Sequence, residues 1–152
     1  MRLAESGDLI THHKDKAVLT LLRLDSVIER DFTPVMPYDT LGQLVRSVSR
    51  SRRNLFPVVN DTGMFLGVVL LDDIRSVMFR SDQYDSSTVE EFMTLAPAKV
   101  SLDEPMESVL KKFEASGAWN LPVVEDGIYI GFVSKSKILS AYRELLVQFS
   151  DE

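Results

Sequence analysis

The chain contains no cysteine. That excludes disulfides, a thiolate metal site and a thiol nucleophile, and it permits a reducing compartment. Histidine is nearly as scarce: His12 and His13 are the only two, adjacent in a polar stretch. Neighbouring side chains of that kind need not converge, so a solvated turn is the better reading than a metal site. A Ser-His-Asp set would have to borrow them, and nothing in the sequence places a serine beside them. Long apolar runs are missing too. The longest is Met64–Leu71, far short of the roughly 20 residues a membrane-spanning helix needs. No apolar leader marks the N-terminus. Basic excess is also lacking. The formal net charge is −6, so a broad nucleic-acid surface is not expected and no nucleic-acid partner is assigned. With no catalytic constellation in view, the chain reads as a non-enzyme.

What is present is ordinary globular material, 152 residues with 45% hydrophobic and 26% charged side chains. It is also duplicated. "LFPVVNDTGMFLGVVLLDDI" runs from Leu55 to Ile74, and "NLPVVEDGIYIGFVSKSKI" from Asn120 to Ile138. Sliding the chain by 65 places Val35 on Val100. It also places Leu41, Leu44, Val45 and Val48 on Met106, Val109, Leu110 and Phe113, and Pro57-Val58-Val59 on Pro122-Val123-Val124. Beyond the turn the offset becomes 64, because Asn60–Gly63 is one residue longer than Glu125–Gly127. Gly67 then meets Gly131, Val69 meets Val133 and Ile74 meets Ile138. Matching glycines and prolines in one order mark a true internal repeat.

Each copy has the same local grammar. The stripes Leu41/Leu44/Val45/Val48 and Met106/Val109/Leu110/Phe113 follow i, i+3, i+4, i+7 and predict amphipathic helices. Thr40 to Gln43 spells a capping box. Asp103, ahead of Glu104 and Pro105, is the expected cap of the second helix, and Gly117 its stop. "FPVV" and "LPVV" followed by "FLGVVL" and "YIGFVS" predict two β-hairpins, with turn residues that tolerate positive φ. A helix is expected after each hairpin, Asp72 to about Phe79 and about Lys135 to Phe149, the latter with the stripe Ile138, Tyr142, Leu145, Leu146, Phe149. Short strands near Thr33–Val35 and Ala98–Val100 open the copies. The expected organisation is a connector (1–24), a first repeat (25–79), a polar linker (80–88) and a second repeat with a C-terminal helix (89–152). Neither repeat, at about 55 residues, can bury a generous core alone.

This order, h-P-V-V, an acidic or amide turn ending in glycine, G-h-h and then a helix, in tandem, resembles the CBS pair, a two-repeat regulatory module named after cystathionine beta-synthase. The resemblance covers about Asp25 to Ala141. It implies an α/β fold in which two β-α-β-β-α repeats pack about a pseudo-twofold axis, and a homodimer of pairs. "LITHHKDKAVLTLLRLDSVIERDF", Leu9–Phe32, looks like the segment that joins the last membrane helix of bacterial ClC-type chloride channels to their cytoplasmic CBS pair. That likeness implies the soluble tail of a membrane protein, at the cytoplasmic face of the membrane, whose partner is the transmembrane portion of the parent channel. On the residues alone this segment is a short apolar helix face, Ala17, Val18, Leu21, Leu22 and Leu24, for which ordinary packing is the plainer reading. Residues 1–24 carry four basic and three acidic side chains, a weak hint of anionic headgroups nearby.

CBS pairs that bind adenine nucleotides read G-h-h-(S/T)-x-x-D at the return strand and helix start. The Asp accepts hydrogen bonds from the ribose hydroxyls. The hydroxyl side chain and helix N-terminus face phosphate. Copy one keeps the carboxylate at Asp73 and has Leu70 where the hydroxyl belongs. Copy two keeps the hydroxyl at Ser134 and has Lys137 where the carboxylate belongs. An ammonium cannot accept a hydrogen bond, though it attracts phosphate. The resemblance therefore nominates Thr33, Val35, Phe56, Pro57, Asp73, Trp119, Leu121, Ser134 and Lys137 for AMP, ADP, ATP or another adenosyl ligand. Asp73 would hold ribose and Phe56 would stand beside the base. Plainer roles compete: helix-start residues for Asp73 and Ser134, a solvated lysine for Lys137, partial core for Trp119, core or cleft lining for Phe56 and Leu121. The run Ser49–Arg53 reads as a solvated helix end. The rival readings are a ligand-free CBS dimerisation scaffold and a free-standing nucleotide-sensing CBS-pair protein.

Overall fold

The computed structural model describes residues 13–150, with side chains described from Ala17 to Gln148. His12 and the Phe149 side chain lie outside that description. The elements are α1 (His13–Leu21), α2 (Leu41–Arg50), β1 (Leu55–Val59), β2 (Phe65–Leu70), α3 (Leu71–Ile74), α4 (Met106–Ser116), β3 (Asn120–Glu125), β4 (Ile128–Ser134) and α5 (Lys135–Ser150), with 3-10 turns at Leu24–Ser26, Ser81–Gln83 and Val89–Glu91. This is a mixed α/β fold with two small antiparallel hairpins, β1-β2 and β3-β4.

The chain divides into two compact units that alternate along the sequence. One comprises Arg30–Ala96 and Val124–Gly131. The other comprises the described part of Met1–Glu29 with Pro97–Val123 and the described part of Phe132–Glu152. In the first unit Phe56, Val58 and Val69 from the hairpin bury against Leu41 and Leu44 of α2, together with Val35, Ile74 and Val89. The predicted stripe of α2 is thus its core face, with Val45 and Val48 partly buried at its edge. In the other unit Met106, Val109 and Phe113 of α4 and Ile138 and Tyr142 of α5 are buried, as are Leu121, Val123, Phe132 and Val133 of the second hairpin. Val124, expected inside with them, is half-buried. Helix α1 packs on both α4 and α5.

The turn and cap chemistry follows the sequence at several points. Thr40 and Gln43 form the reciprocal capping box. Gly117 closes α4 in the left-handed region at φ 69°. The β3-β4 turn puts Asp126 at φ 52° and Gly127 at φ 84°, a pair of left-handed residues suited to a tight hairpin.

Four expectations need correction. The opening strands shrink to single bridges, Val35 with Val58 and Val100 with Val123. Val35 has Pro34 before it and Pro37 two residues on, neither able to donate to a ladder. The helix expected over Asp72–Phe79 stops at Ile74. Its N-cap is Leu70, which has no side-chain acceptor for the first N–H groups. Helix α4 starts at Met106 with Pro105, not Asp103, as its N-cap, because the proline sits in extended conformation at φ −61°, ψ 144°. The stretch Arg80–Thr88 is also more than a polar tether. Tyr84 lies partly buried against the first unit's core, and its hydroxyl donates to the Met78 carbonyl at 2.5 Å.

Candidate ligand-binding site

The two repeats end differently in structure as well as in sequence. In copy two, Ser134 Oγ accepts from the Lys137 N–H at 3.1 Å, the N-cap to N3 bond of a well-started helix. Helix α5 then runs 16 residues. In copy one Leu70 offers no such bond, and α3 has four residues. The Ser134 hydroxyl, absent at Leu70, is one of the differences between the two helix starts.

The charges at these ends are opposite. Asp72 and Asp73 occupy the first turn of α3. Asp72 is paired with Arg75 at 2.8 Å, and Asp73 is exposed. The first turn of α5 has no acid. It carries Lys135, half-buried, and Lys137, exposed. Cations are unfavourable at the positive end of a helix, so an anion placed there would relieve the arrangement.

The residues nominated for the base scatter. Phe56 and Leu121 are fully buried, and Val35 is 2% exposed. Their side chains complete the cores and present no surface to a ligand in this conformation. Pro57 is buried on β1, its carbonyl accepting from the Val35 N–H at 2.9 Å. Thr33 is half-buried. Trp119 departs furthest from the core expectation, at 69% exposed. It sits between the Gly117 stop and β3, too early in the strand to be drawn inside. Its carbonyl accepts from the Lys135 N–H at 3.0 Å, and the Lys135 ammonium stands 5.5 Å from its ring centroid, within cation–π range. Trp119, Ser134, Lys135 and Lys137 therefore come together at the start of α5.

Two residues escaped the sequence reading. Lys135 faces Trp119 only because β3 and β4 pair, a relation no local pattern announces. Arg53 belongs to the run Ser49–Arg53 that the sequence predicts to be a solvated helix end. Instead it pairs with Asp31 and lies 4.2 Å over the Phe32 ring, two residues before Val35's neighbour Pro34.

Two copies of a strand-helix-hairpin unit with unlike helix starts are now in view, and comparison with known proteins places them. The CBS domain profile matches residues 24–80 and again 89–144. The chain belongs to the CBS family. It is a tandem CBS pair. Among solved structures it is similar to CbpB in complex with c-di-AMP, with TM-score 0.73 and 16% identity over 91% of this chain and 95% of that one. It is similar, too, to the CBS domain of a CBS domain-containing membrane protein from Sphaerobacter thermophilus, with TM-score 0.69 and 17% identity over 91% of this chain and 97% of that one. At these identities the likeness concerns the fold. Among curated proteins the CBS pair is 23% identical over 145 residues to the inosine-5'-monophosphate dehydrogenase of Methanocaldococcus jannaschii. The match takes in 90% of this chain and 28% of that enzyme's length.

Proposed function

We propose that this CBS pair is a regulatory module that senses an adenine nucleotide, and that the nucleotide binds at the start of α5. The carrying observation is the exposed Trp119 ring with Lys135 beside it, at a helix N-terminus that holds two lysines and no acid. The indole stacks on the base. Lys135, Lys137 and the helix N–H groups attract phosphate. The role assigned to Phe56 passes to Trp119, because Phe56 is sealed in the core. Asp73 keeps its capacity to accept from ribose hydroxyls as a separate, weaker candidate at α3. The c-di-AMP bound to the similar CbpB supports an adenine-containing ligand.

Trp119 is the sole tryptophan, so its fluorescence reads this face alone. Titration with AMP, ADP, ATP and c-di-AMP should quench or shift it saturably. An unchanged spectrum at millimolar nucleotide would remove the proposal.

Regulation rather than catalysis is proposed, in keeping with the generally regulatory role of CBS pairs. For the setting, we propose the cytoplasmic tail of a ClC-type chloride channel or transporter, working as a dimer. CBS pairs typically dimerise, and the wording of Leu9–Phe32 supports the channel; residues 9–12 lie outside the described structure. No helix among the described residues is long and apolar enough to cross a membrane. Two other readings stand beside this one: a free-standing nucleotide sensor, and a ligand-free scaffold favoured by Leu70 and Lys137 in place of the ligand-binding pattern. The gene's upstream reading frame separates the tail from the free-standing sensor.

A further inference from the structure

The turns of the two hairpins meet, and they meet through equivalent residues. The offset of 64 lays Gly63, Met64 and Phe65 on Gly127, Ile128 and Tyr129. Phe65 N–H donates to the Gly127 carbonyl at 2.8 Å, and Tyr129 N–H donates to the Gly63 carbonyl at 3.0 Å. Between these bonds Met64 bridges Ile128, its own counterpart. That is the non-hydrogen-bonded kind of antiparallel pair, in which facing side chains come closest. The Phe65 and Tyr129 rings stack with centroids 6.2 Å apart. In its main chain this clasp is symmetric, each repeat giving and receiving one hydrogen bond.

The side chains break the symmetry. Copy two places the branched Ile128 at the bridge, and copy one places the thioether of Met64 there. A Cβ on Gly63 would stand 3.9 Å from Ile128 Cγ2, an ordinary contact. A Cβ on Gly127 would run into Met64 Cε and stand 3.1 Å from Sδ. The Met64 sulfur and methyl therefore lie directly on the Gly127 main chain, at a left-handed turn residue with φ 84°. Met64 is also 37% exposed, whereas Met106 is 4% exposed and Met36, Met78 and Met93 are half-buried. Since the chain has no cysteine, methionine thioethers are the only sulfurs an oxidant meets. A sulfoxide replaces a flexible apolar group by a polar, chiral one and disrupts the packing it made.

We propose that Met64 is an oxidation site, and that its sulfoxide loosens the clasp between the hairpin turns. The oxidant is a peroxide. A sulfur lone pair attacks one peroxide oxygen, the O–O bond breaks as the S–O bond forms, and proton transfer releases water; sulfur loses two electrons and the peroxide gains them. This site rests on the clasp and does not depend on the nucleotide reading. Hydrogen peroxide added to the full folded chain, followed by peptide mass spectrometry, tests the first half. Met64 should oxidise ahead of Met36, Met78 and Met93, and at least about tenfold faster than Met106. Native-state hydrogen exchange of the Met64-oxidised protein tests the second half. The Phe65 and Tyr129 amides should exchange about tenfold faster than in the reduced chain, while those of Leu41 and Val89, which donate to Ser87 and Asp39, keep their rates. Met64→Leu keeps an apolar side chain without sulfur, so peroxide should leave its Phe65 and Tyr129 amides unchanged. Oxidation of Met64 no faster than of Met106 would overturn the site. So would a Met64 sulfoxide whose Phe65 and Tyr129 protection equals that of the reduced chain, or a peroxide effect on those amides that persists undiminished in Met64→Leu.

Discussion

Glu29 and Phe132 exchange backbone hydrogen bonds, Glu29 N–H to the Phe132 carbonyl at 2.8 Å and Phe132 N–H to the Glu29 carbonyl at 3.0 Å. Thr94 and Val68 repeat the exchange at 2.8 and 2.9 Å. By the internal offset Glu29 corresponds to Thr94 and Phe132 to Val68, so the segment opening each repeat pairs with the return strand of the other repeat. This swap explains why the compact units alternate along the chain instead of following the repeat boundaries. Neither repeat completes its sheet alone, which answers the small size of each copy.

Gly67 makes one of these exchanges possible. A Cβ at Gly67 would lie 2.6 Å from the Thr94 carbonyl oxygen and 2.7 Å from Met93 Cγ. Gly67→Ala should therefore push the opening segment off β2 and destabilise the fold by about 1–3 kcal/mol. Urea denaturation measures it, and a midpoint equal to wild type would contradict the swap.

Val123 is fully buried in β3. Val123→Asp should cost about 3–5 kcal/mol, because it leaves an uncompensated charge in the core. Circular dichroism during thermal unfolding should show a large loss of melting temperature or no folded protein.

Much of this fold was legible in the sequence. The stripes of α2 and α4, the hairpins, the Thr40 capping box and the Gly117 stop all depend on residues within a few positions of one another, where periodicity and turn chemistry act. The swap was not legible, because Glu29 and Phe132 lie about a hundred residues apart and pair through main chain, which carries no side-chain signature. The candidate site was half legible. The unlike residues Leu70, Asp73, Ser134 and Lys137 stand out in alignment of the two copies, and Ser134 does cap α5. The exposure of Trp119 and its meeting with Lys135 did not stand out, because they depend on where β3 begins. Burial of Phe56 likewise reflects the packing of α2 on the hairpin, which a motif cannot weigh.

Glu104 offers a pH test. Burial raises its carboxyl affinity for a proton, but hydrogen bonds from Ser108 and the Ser101 N–H, with Lys112 at 2.9 Å, outweigh that and hold the pKa below the usual value. A lowered folded-state pKa stabilises above the unfolded value of about 4.3 and loses that stabilisation as pH falls through the folded value. Glu104→Gln should therefore cost about 1–2 kcal/mol at neutral pH, with the gap to wild type closing below about pH 4. A difference constant from pH 7 to pH 3 would show that ionisation of Glu104 is not involved.

Ser134→Ala removes the α5 cap and should cost about 1 kcal/mol of stability. On the proposed site the same variant should also bind nucleotide more weakly, since the helix start proposed to receive phosphate frays. Chemical denaturation with and without saturating nucleotide separates the two effects.

Calorimetric titration of the full chain with AMP and ATP, alongside Lys137→Ala and Asp73→Ala, tests the proposed site most directly. Binding at the start of α5 predicts saturable heat in wild type, tighter for ATP than for AMP, weakened about tenfold or more by Lys137→Ala and little changed by Asp73→Ala. Heat that vanishes in Asp73→Ala and survives intact in Lys137→Ala would contradict the site at α5 and move it to the acidic end of copy one.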